Sequence, residues 1–538
     1  MTINISFTSN SIEKLLVDAS NLLNNLNIYD HSNVIISTNT SNNTSSNINK
    51  LPILYTSNIY LENFNYLTHG GYANIYLNSN SSIILKVQPL YDETLYICSS
   101  TLYETIMFNT LLHIPNSCHI KNIRQHDSSI YHYMPYYGIT LHDFIISKKF
   151  NIKSLILPIL LSIVEKCILL YERDIQHTDL KPNNIIINQI NNKVTLIDYN
   201  ICSIRSSGKT TFGWSYGIGT WCYCSPEIIN YDEPTDTSMV WSIGLLLAYM
   251  YNGHPLNNKF KNIYDYTEQS DWKNIYKSLQ NKYITGLPLS KEHKNSMPMR
   301  IQYIFSACTH WDWQKRPSLY ELYELLIKII YNDISYTIQP SNISYHLNHN
   351  NIYTRGIKIF KIYKNIEQRT KAYNTIWTIC KLTKRYDLLC KTLILIDKYP
   401  NELTEYAIIG CISIAYILVG SVLSDNTFTK SIYNFFNINI TIFNNIILDT
   451  LKIFKWDCYT ESADTLIIDY ILEHTYNKTK HINKYNYKLK LVDKLYNNYN
   501  FYKSIYLIML SLENEYTMLS IVELLFKEII AQNLIEIS

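Results

Sequence analysis

The sequence predicts an α+β architecture: a two-lobed domain, with a small antiparallel β lobe and a larger helical lobe, followed by an all-α domain. Short runs of β-branched and aromatic residues, separated by turn residues, occupy about residues 59–88 and indicate antiparallel strands. From about residue 153 onward the apolar positions recur with the period of a helix. Strands followed by helices are typical of the α+β class, and 538 residues are too many for one compact core.

The composition describes a folded chain without a strong electrostatic partner. Hydrophobic residues make up 47% and charged residues 17%, which is typical of a globular protein rather than a disordered one. The net charge of +3 is too small to indicate binding to nucleic acid or to a charged membrane surface. We therefore expect neither nucleic acid nor a membrane among the partners.

The cysteines and the first residues bear on the compartment. The 11 cysteines are scattered, and no Cys-x-x-Cys pair recurs that would indicate a zinc site or a disulfide framework. This usage fits a reducing compartment. Because the first residues show no basic stretch leading into an apolar core, we expect no secretion signal and a cytoplasmic or nuclear location.

The chain divides into four predicted segments. Residues 1–55 end in the polar low-complexity run "STNTSNNTSSNINK" and are predicted to be largely disordered. Residues 56–334 hold the two-lobed domain, and residues 335–354 form a loose linker. Residues 355–538 look wholly helical.

One apolar stretch has two interpretations. Residues 406–424, "YAIIGCISIAYILVGSVLS", carry no charge and approach the length that spans a bilayer. They also contain several small and hydroxyl residues and lack flanking basic clusters. We favour a helix buried on all sides by other helices over a membrane span.

A compact set of polar residues indicates phosphoryl transfer. The octapeptide "HTDLKPNN" lies between a long helical segment and the β-like "IIIN", and "VTLIDYN" follows as a strand that ends in an acid. Transfer of a phosphoryl group from a nucleotide requires a base for the hydroxyl, a cation near the phosphate and oxygen ligands for magnesium. Asp179, Lys181, Asn184 and Asp198 supply these groups.

Several motifs in the same order resemble the eukaryotic protein kinase family over about residues 58–332. The octapeptide is similar to the catalytic loop H-R-D-x-K-x-x-N, and "DYN" is similar to D-F-G. The segment "GTWCYCSPE" resembles the family's G-T-x-x-Y-x-[AS]-P-E, and "IILK" resembles the strand that carries the family's lysine. The resemblance implies the two-lobed protein kinase fold.

The resemblance implies a role for each residue of the catalytic loop. Asp179 would orient the substrate hydroxyl, and Lys181 would steady the γ-phosphate of ATP. Asn184 and Asp198 would hold Mg²⁺. Lys181 and Thr220 at these positions resemble the serine/threonine branch, and Thr220 would lie at the protein substrate.

The resemblance also implies a nucleotide site and one structural ion pair. Lys86 would hold the α- and β-phosphates and would itself be positioned by Glu104. Glu227 would pair with the late Arg316 of "DWQKRP". Met134 falls at the gatekeeper position before a hinge at residues 135–137. The remaining residues expected to bind ATP are Gly70, Gly71, Ile75, Tyr136 and Tyr137.

The sequence departs from the family pattern at several positions. Ala73 replaces a glycine of the phosphate loop, and Ile84 replaces a small alanine beside adenine. Thr178 replaces the arginine that pairs with an activation-segment phosphate, so we expect activity without phosphorylation of that segment. Met239 replaces the aspartate that anchors the catalytic loop. These changes leave open a pseudokinase that binds or scaffolds, although the retained catalytic residues favour an active enzyme.

Residues from about 365 to 475 are similar to a cyclin box. The counterparts of its motifs are Trp377, Thr392-Leu393, Asp397-Lys398-Tyr399, Ala415 and Trp456-Asp457. Ile417 and Ile447 stand where the family has its kinase-contacting Lys and Glu, so the usual contact is not supported. The resemblance implies a fused cyclin-like domain that acts in cis by packing on the helix of Glu104. A plain helical docking domain and a membrane anchor are the alternatives.

Overall fold

The structure is a computed structural model of the chain. It describes residues 63–70, 73–111, 118–126, 128–147, 153–171, 175–204, 219–230, 234–235, 237–254, 269–330, 359–361, 365–421, 423–424, 426–458, 463–475, 491, 494–496, 498–512 and 515–535. The predicted N-terminal segment, the predicted linker and Gly71 lie outside these residues. The domain boundaries stay predictions.

The first lobe is built on a five-stranded antiparallel sheet with the strand order β1-β2-β3-β5-β4. Its strands are β1 Asn65–His69, β2 Asn74–Asn78, β3 Ile83–Pro89, β4 Asn122–His126 and β5 Ser129–Pro135. Helix α1, Ser99–Thr110, lies between β3 and β4 in the chain and is buried over most of its length. The predicted antiparallel β lobe is confirmed.

The second lobe is mainly helical, as predicted. Its helices are α2 Leu141–Ser147, α3 Lys153–Tyr171, α4 Pro226–Ile229, α5 Ser238–Asn252, α6 Gln269–Lys282, α7 Lys291–Ser296, α8 Met299–Cys308 and α9 Leu319–Ile330. Short strands beside them are β6 Ile139–Thr140, β7 Ile175–Gln176, β8 Ile185–Ile187, β9 Val194–Leu196 and β10 Ser203–Ile204. Helix α5 is mostly apolar, and its residues from 238 to 250 are buried.

Helix α3 is the one helix among the described residues that is long and apolar enough to cross a bilayer by length and composition. The core helix of a soluble domain has the same properties. Here α3 packs against α5, α9 and strand β9. Its apolar residues therefore contribute to the core of the second lobe.

The C-terminal region is mostly helical. Its helices are α10 Ile366–Thr383, α11 Leu389–Lys398, α12 Glu405–Leu418, α13 Asn426–Phe436, α14 Ile440–Ile453, α15 Ala463–Thr475, α16 Tyr499–Ser511 and α17 Met518–Ala531. Side-chain oxygens of Asn365, Thr404 and Asn439 accept backbone N–H bonds at the starts of α10, α12 and α14. Such N-caps satisfy donors that a helix leaves unpaired, so they fix where these helices begin.

The expectation that residues 355–538 are wholly helical is wrong in one detail. Strand β11, Ile359–Lys361, pairs antiparallel with strand β12, Glu515–Thr517. Phe360 and Tyr516 stack across this pair with ring centroids 5.2 Å apart. The two strands join the beginning of the helical region to its end.

A buried ion pair ties several helices of this region together. Arg369 Nε lies 2.8 Å from Asp397 Oδ1, and both residues are buried. The hydroxyls of Tyr373 and Tyr516 donate to Asp397 Oδ2 at 2.7 and 3.0 Å, and Arg369 Nη1 donates to the carbonyl of Leu512 at 2.9 Å. A buried ion pair is stable only when its remaining polar atoms are bonded, and these contacts meet that condition.

The apolar segment at residues 406–424 forms a buried helix. Helix α12 has 14 residues, fewer than the roughly 20 that span a bilayer. Every residue from Ala407 to Leu418 is buried. Helices α10, α11 and α14 pack around it, in agreement with the interpretation favoured from the sequence.

The helical region also contacts the first lobe through helix α1. Helix α12 packs against α1, and the backbone N–H of Leu423 donates to Ser99 Oγ at 2.9 Å. Asn444 Nδ2 donates to the carbonyl of Leu95 at 2.8 Å, just before α1 begins. Tyr96 and Tyr433 stack in parallel with ring centroids 6.3 Å apart. These contacts lie at or just before the start of α1, and a further one, from Asn109 Nδ2 to the carbonyl of Lys455 at 3.4 Å, lies at its end.

Candidate active site

One face of the sheet carries the residues predicted to bind nucleotide. Lys86 on β3 pairs with Ile75 on β2, and Ile84 pairs with Met134 on β5. Directly paired residues point to the same side of a sheet, and residues two apart on a strand do so as well. One face of the sheet therefore carries Ile75, Ile84, Lys86 and Met134. Helix α1 packs on the same face, where its Glu104 contacts Lys86.

The predicted ion pair between Lys86 and Glu104 is present. Lys86 Nζ lies 2.6 Å from Glu104 Oε1 and 3.8 Å from Asp198 Oδ1. Glu104 is fully buried. Burial alone would lower the pKa of Lys86, but the charges of Glu104 and Asp198 outweigh it and raise that pKa. Lys86 is thus a fixed cation beside Asp198.

A further partner of Glu104 was not predicted from the sequence. Gln88 Nε2 donates to Glu104 Oε2 at 2.8 Å, and Gln88 is buried. Gln88 follows Lys86 by two residues on the same strand, so both side chains leave the sheet on the face toward α1. A polar residue at that spacing after Lys86 was the available signal.

The catalytic-loop residues meet around the carboxylate of Asp179. Lys181 Nζ lies 2.7 Å from Asp179 Oδ2, and Asn184 Nδ2 donates to the same oxygen at 2.9 Å. The backbone N–H of Thr220 donates to Asp179 Oδ1 at 2.8 Å. Burial alone would raise the pKa of Asp179, but the Lys181 charge and the bonds from Lys181 and Thr220 hold that pKa below its usual range. Asp179 is therefore an ionised, oriented carboxylate.

Thr220 links the loop to the segment that follows it. Lys181 Nζ donates to Thr220 Oγ1 at 2.9 Å, so the lysine joins the carboxylate of Asp179 to this hydroxyl. Gly219 has a φ of 127°, a conformation that favours glycine. A Cβ on Gly219 would lie 3.0 Å from the carbonyl of Thr178 and 2.9 Å from Cys224 Sγ. Gly219 therefore allows its own segment to lie close to the backbone of the catalytic loop at Thr178.

Asp198 and Tyr199 connect the catalytic loop to helix α1. Asp198 has a φ of 68°, which is unusual for a residue with a side chain and typical of functional sites. The ring of Tyr199 lies 5.7 Å from that of Phe108 on α1 and 5.3 Å from that of His177. The hydroxyl of Tyr103, also on α1, donates to the carbonyl of Cys202 at 3.0 Å.

The two residues that depart from the family pattern near the loop both form polar contacts. Thr178 Oγ1 donates to the carbonyl of Ile201, in the segment that follows Asp198. The backbone N–H of His177 donates to Met239 Sδ at 3.4 Å. Met239 is buried on α5, and its side chain does more than fill the core. A thioether is a weak acceptor, but it gives this buried N–H a partner.

The predicted structural pair of the second lobe is present and buried. Arg316 Nη1 lies 2.7 Å from Glu227 Oε1, and Nη2 donates to Oε2 at 2.9 Å. Ser238 Oγ donates to Glu227 Oε1 at 2.7 Å. Burial alone would raise the pKa of Glu227, but Arg316 lowers it. The bidentate geometry anchors α4 at the end of the segment that begins at Gly219.

The remaining predicted nucleotide residues that the structure describes are Gly70, Tyr136 and Tyr137. The N–H of Gly70 donates to the carbonyl of Ala73 at 2.8 Å. The N–H of Tyr136 donates to the carbonyl of Ser82 at 2.8 Å. Tyr137 Oη and His119 Nδ1 are 2.9 Å apart. These contacts fix Tyr136 and Tyr137. Ile84 and Met134 lie on the face of the sheet that carries Lys86.

The domain matches known proteins over part of the chain. Residues 67–325 match the family model described as the protein kinase domain. A mitogen-activated protein kinase kinase of Nicotiana tabacum, SIPKK, is 28% identical over 170 residues, which are 30% of this chain and 43% of that protein. Extracellular signal-regulated kinase 1 of Candida albicans is 28% identical over 134 residues, which are 23% of this chain and 32% of that protein. The chain thus spans less than half the length of these relatives.

Proposed function

Because residues 67–325 match the family model of the protein kinase domain, we propose that this chain transfers the γ-phosphate of ATP to serine and threonine hydroxyls of protein substrates. The observation that carries the proposal is the arrangement around Asp179. Its carboxylate is oriented by Lys181, Asn184 and Thr220, all within 2.9 Å.

Asp179 and Lys181 have the chemistry that transfer to a hydroxyl requires. An ionised carboxylate accepts a hydrogen bond from an incoming hydroxyl and orients its oxygen. The ammonium of Lys181 beside it would offset the negative charge that develops on the transferring phosphoryl group. The lowered pKa of Asp179 keeps the carboxylate ionised at neutral pH.

The residues present fit ATP and Mg²⁺. Asn184 donates its amide N–H to Asp179, so its amide oxygen remains for a cation, and Asp198 offers a carboxylate. Magnesium takes oxygen ligands and is bound by one or two carboxylates together with substrate phosphates. The part of the chain that the structure describes has no group of three or more His, Cys, Asp or Glu that would hold a metal alone. Lys86, paired with Glu104, would hold the phosphates.

Serine/threonine specificity is supported by the contact between Lys181 and Thr220. Their bond sets a lysine and a hydroxyl beside the oxygen atoms of Asp179, where an aliphatic hydroxyl would approach. The test is transfer from labelled ATP to peptides that offer serine, threonine or tyrosine, with Lys86→Met as the control. The proposal expects label on serine and threonine, and label on tyrosine alone would contradict it.

A pseudokinase that binds nucleotide weakly is the second candidate, and Ile84 favours it. Ile84 lies on the cleft face directly opposite Met134, where a bulky side chain reduces the room for a base. Transfer by the parent chain separates the two candidates, and Ile84→Ala shows whether this side chain limits it. The active kinase expects measurable transfer in the parent, whereas the pseudokinase expects none in the parent or in Ile84→Ala.

We further propose that the helical region modulates the kinase in cis as a cyclin-like domain. Helix α12 is central among α10, α11 and α14, as the cyclin-box resemblance implies, and it packs on α1. The contacts at Ser99, Leu95 and Tyr96 hold the start of the helix that carries Glu104. Fixing that helix would favour the Lys86–Glu104 pair.

The double variant Tyr433→Ala/Asn444→Ala tests this role. Across the contact it removes one ring stack and one hydrogen bond, which together contribute about 1–3 kcal/mol, and it also removes the edge-to-face contact of Tyr433 with Phe443 inside the helical region. We expect phosphotransfer to fall severalfold while the helical region stays folded. Tyr406→Ala is the matched control, because Tyr406 is on α12 but 59% exposed. Unchanged turnover in the double variant would contradict modulation through this contact.

A further inference from the structure

We propose that Gln88 is a positioning residue that holds the Glu104 carboxylate in place for Lys86 and thereby sets nucleotide affinity. The inference rests on the proposed function, because it concerns the same phosphate-binding lysine. It adds a residue that the protein kinase motifs of the sequence do not contain.

The geometry gives Glu104 two partners on one strand. Lys86 Nζ donates to Glu104 Oε1 at 2.6 Å and to Oε2 at 2.8 Å. Gln88 Nε2 donates to Oε2 at 2.8 Å. Because the two donors are two residues apart on β3, they reach the carboxylate from neighbouring positions on the same face. The carboxylate is therefore held between them.

The second donor matters because Lys86 is shared. Its ammonium lies 3.8 Å from Asp198 as well, and it would turn toward phosphate when nucleotide binds. Glu104 is fully buried, and a buried carboxylate without a donor is strongly destabilised. Gln88 keeps one charge-stabilising bond to Glu104 whatever Lys86 contacts. Glu104 then stays where it can orient the lysine.

Helix α1 is held elsewhere, so Gln88 acts on the side chain rather than on the helix. Thr101 Oγ1 donates to the carbonyl of Pro89 at 3.0 Å, and Tyr103 is bonded to Cys202. Ser99 is bonded to the helical region. With the helix held through these three side chains, the remaining freedom is the rotamer of Glu104.

Simple packing explains Gln88 less well. Gln88 is 3% exposed, and its Oε1 has no hydrogen-bond partner within the described residues. An unpaired buried amide oxygen destabilises the fold, so an apolar side chain of the same size would suit a role in packing alone. The bond from Nε2 to Glu104 offsets this cost.

The test uses the full chain and the binding of a magnesium complex of a non-hydrolysable ATP analogue. Gln88→Met keeps the side-chain volume and removes the donor. We expect its affinity to fall by roughly ten- to a hundredfold, as expected for loss of a bond to a charged group. Gln125→Met is the control, because Gln125 is exposed on β4 of the same sheet.

A double variant decides whether Gln88 acts through Glu104. If it does, Gln88→Met/Glu104→Gln should bind no more weakly than Glu104→Gln alone, within about twofold, because coupled residues are not additive. Additive losses, parental affinity in Gln88→Met, or failure of Gln88→Met to fold would each overturn the proposal. If the parent binds no nucleotide, the proposed function itself is wrong, and this result is distinct from the others.

Discussion

Replacement of Met239 by leucine tests how the catalytic loop is supported. Met239 Sδ accepts the N–H of His177 at 3.4 Å, two residues before Asp179, and Met239 is 2% exposed. Leucine fills nearly the same volume but cannot accept a hydrogen bond. The variant therefore leaves a buried backbone N–H unpaired without opening a large cavity.

The expected size follows from this geometry. An unpaired buried donor costs about 1–3 kcal/mol, and because a thioether is a weak acceptor we take the lower end, about 1 kcal/mol. For a domain of this size this lowers Tm by roughly 2–4 °C. Because Met239 lies beneath the loop and away from the Lys86 face, we expect a lower kcat and an unchanged KM for ATP.

The assay is steady-state kinetics together with thermal unfolding, and Met250→Leu is the matched control. Met250 is on the same helix, three turns along, and is 3% exposed. It should lose neither stability nor turnover beyond the small cost of a buried Met-to-Leu change. If Met239→Leu behaves like Met250→Leu, the sulfur does not support the loop and the reasoning is refuted.

Three further predictions concern acid sensitivity, the buried ion pair and phosphorylation. Burial, with the Lys86 charge, lowers the pKa of His132 to about 3 in the folded chain. As the pH falls below about 6.5, His132 is therefore protonated in the unfolded chain but not in the folded chain, and acid favours unfolding. The parent should lose about 2 kcal/mol between pH 7 and 5 from this group, and His132→Gln should show a smaller loss in urea unfolding; equal losses would contradict it. Arg316→Met strands the buried Glu227 and should lower the free energy of unfolding by about 3–5 kcal/mol; a loss below about 1 kcal/mol would show that the pair is dispensable. Activity should survive when the activation-segment hydroxyls, which lie outside the described residues, are replaced by alanine. Loss of activity in a folded variant would contradict the role inferred from Thr178. The residues to replace are Ser206, Ser207, Thr210, Thr211 and Ser215.

The parts of the site that could be predicted from the sequence are those whose chemistry is local. Asp179, Lys181 and Asn184 lie within six residues, and the structure brings them together as expected. Lys86 and Glu104 are joined by one strand and one helix, so their distance in the chain limits where they can meet. Residues so close in the chain can meet in few other ways, so their contacts follow from the local sequence.

The parts that could not be predicted depend on contacts between distant segments. The pairing of β11 with β12 joins short strands about 150 residues apart, and neither has an alternating pattern long enough to stand out. The bond from Asn444 to Leu95 and that from His177 to Met239 depend on how helices pack. The spacing of Gln88 from Lys86 indicates only the face on which it lies, and its bond to Glu104 depends on how α1 packs on the sheet.

The most direct measurement is labelled phosphate transfer from ATP to a generic protein substrate by the parent chain and by Asp179→Asn. The asparagine keeps the shape of the side chain and removes the charge that Lys181 and Thr220 orient. We predict clear transfer in the parent and a loss of roughly 100-fold or more in the variant, as for removal of a catalytic base. No transfer by a folded parent, or equal transfer by both proteins, would contradict the assignment of this site to phosphoryl transfer.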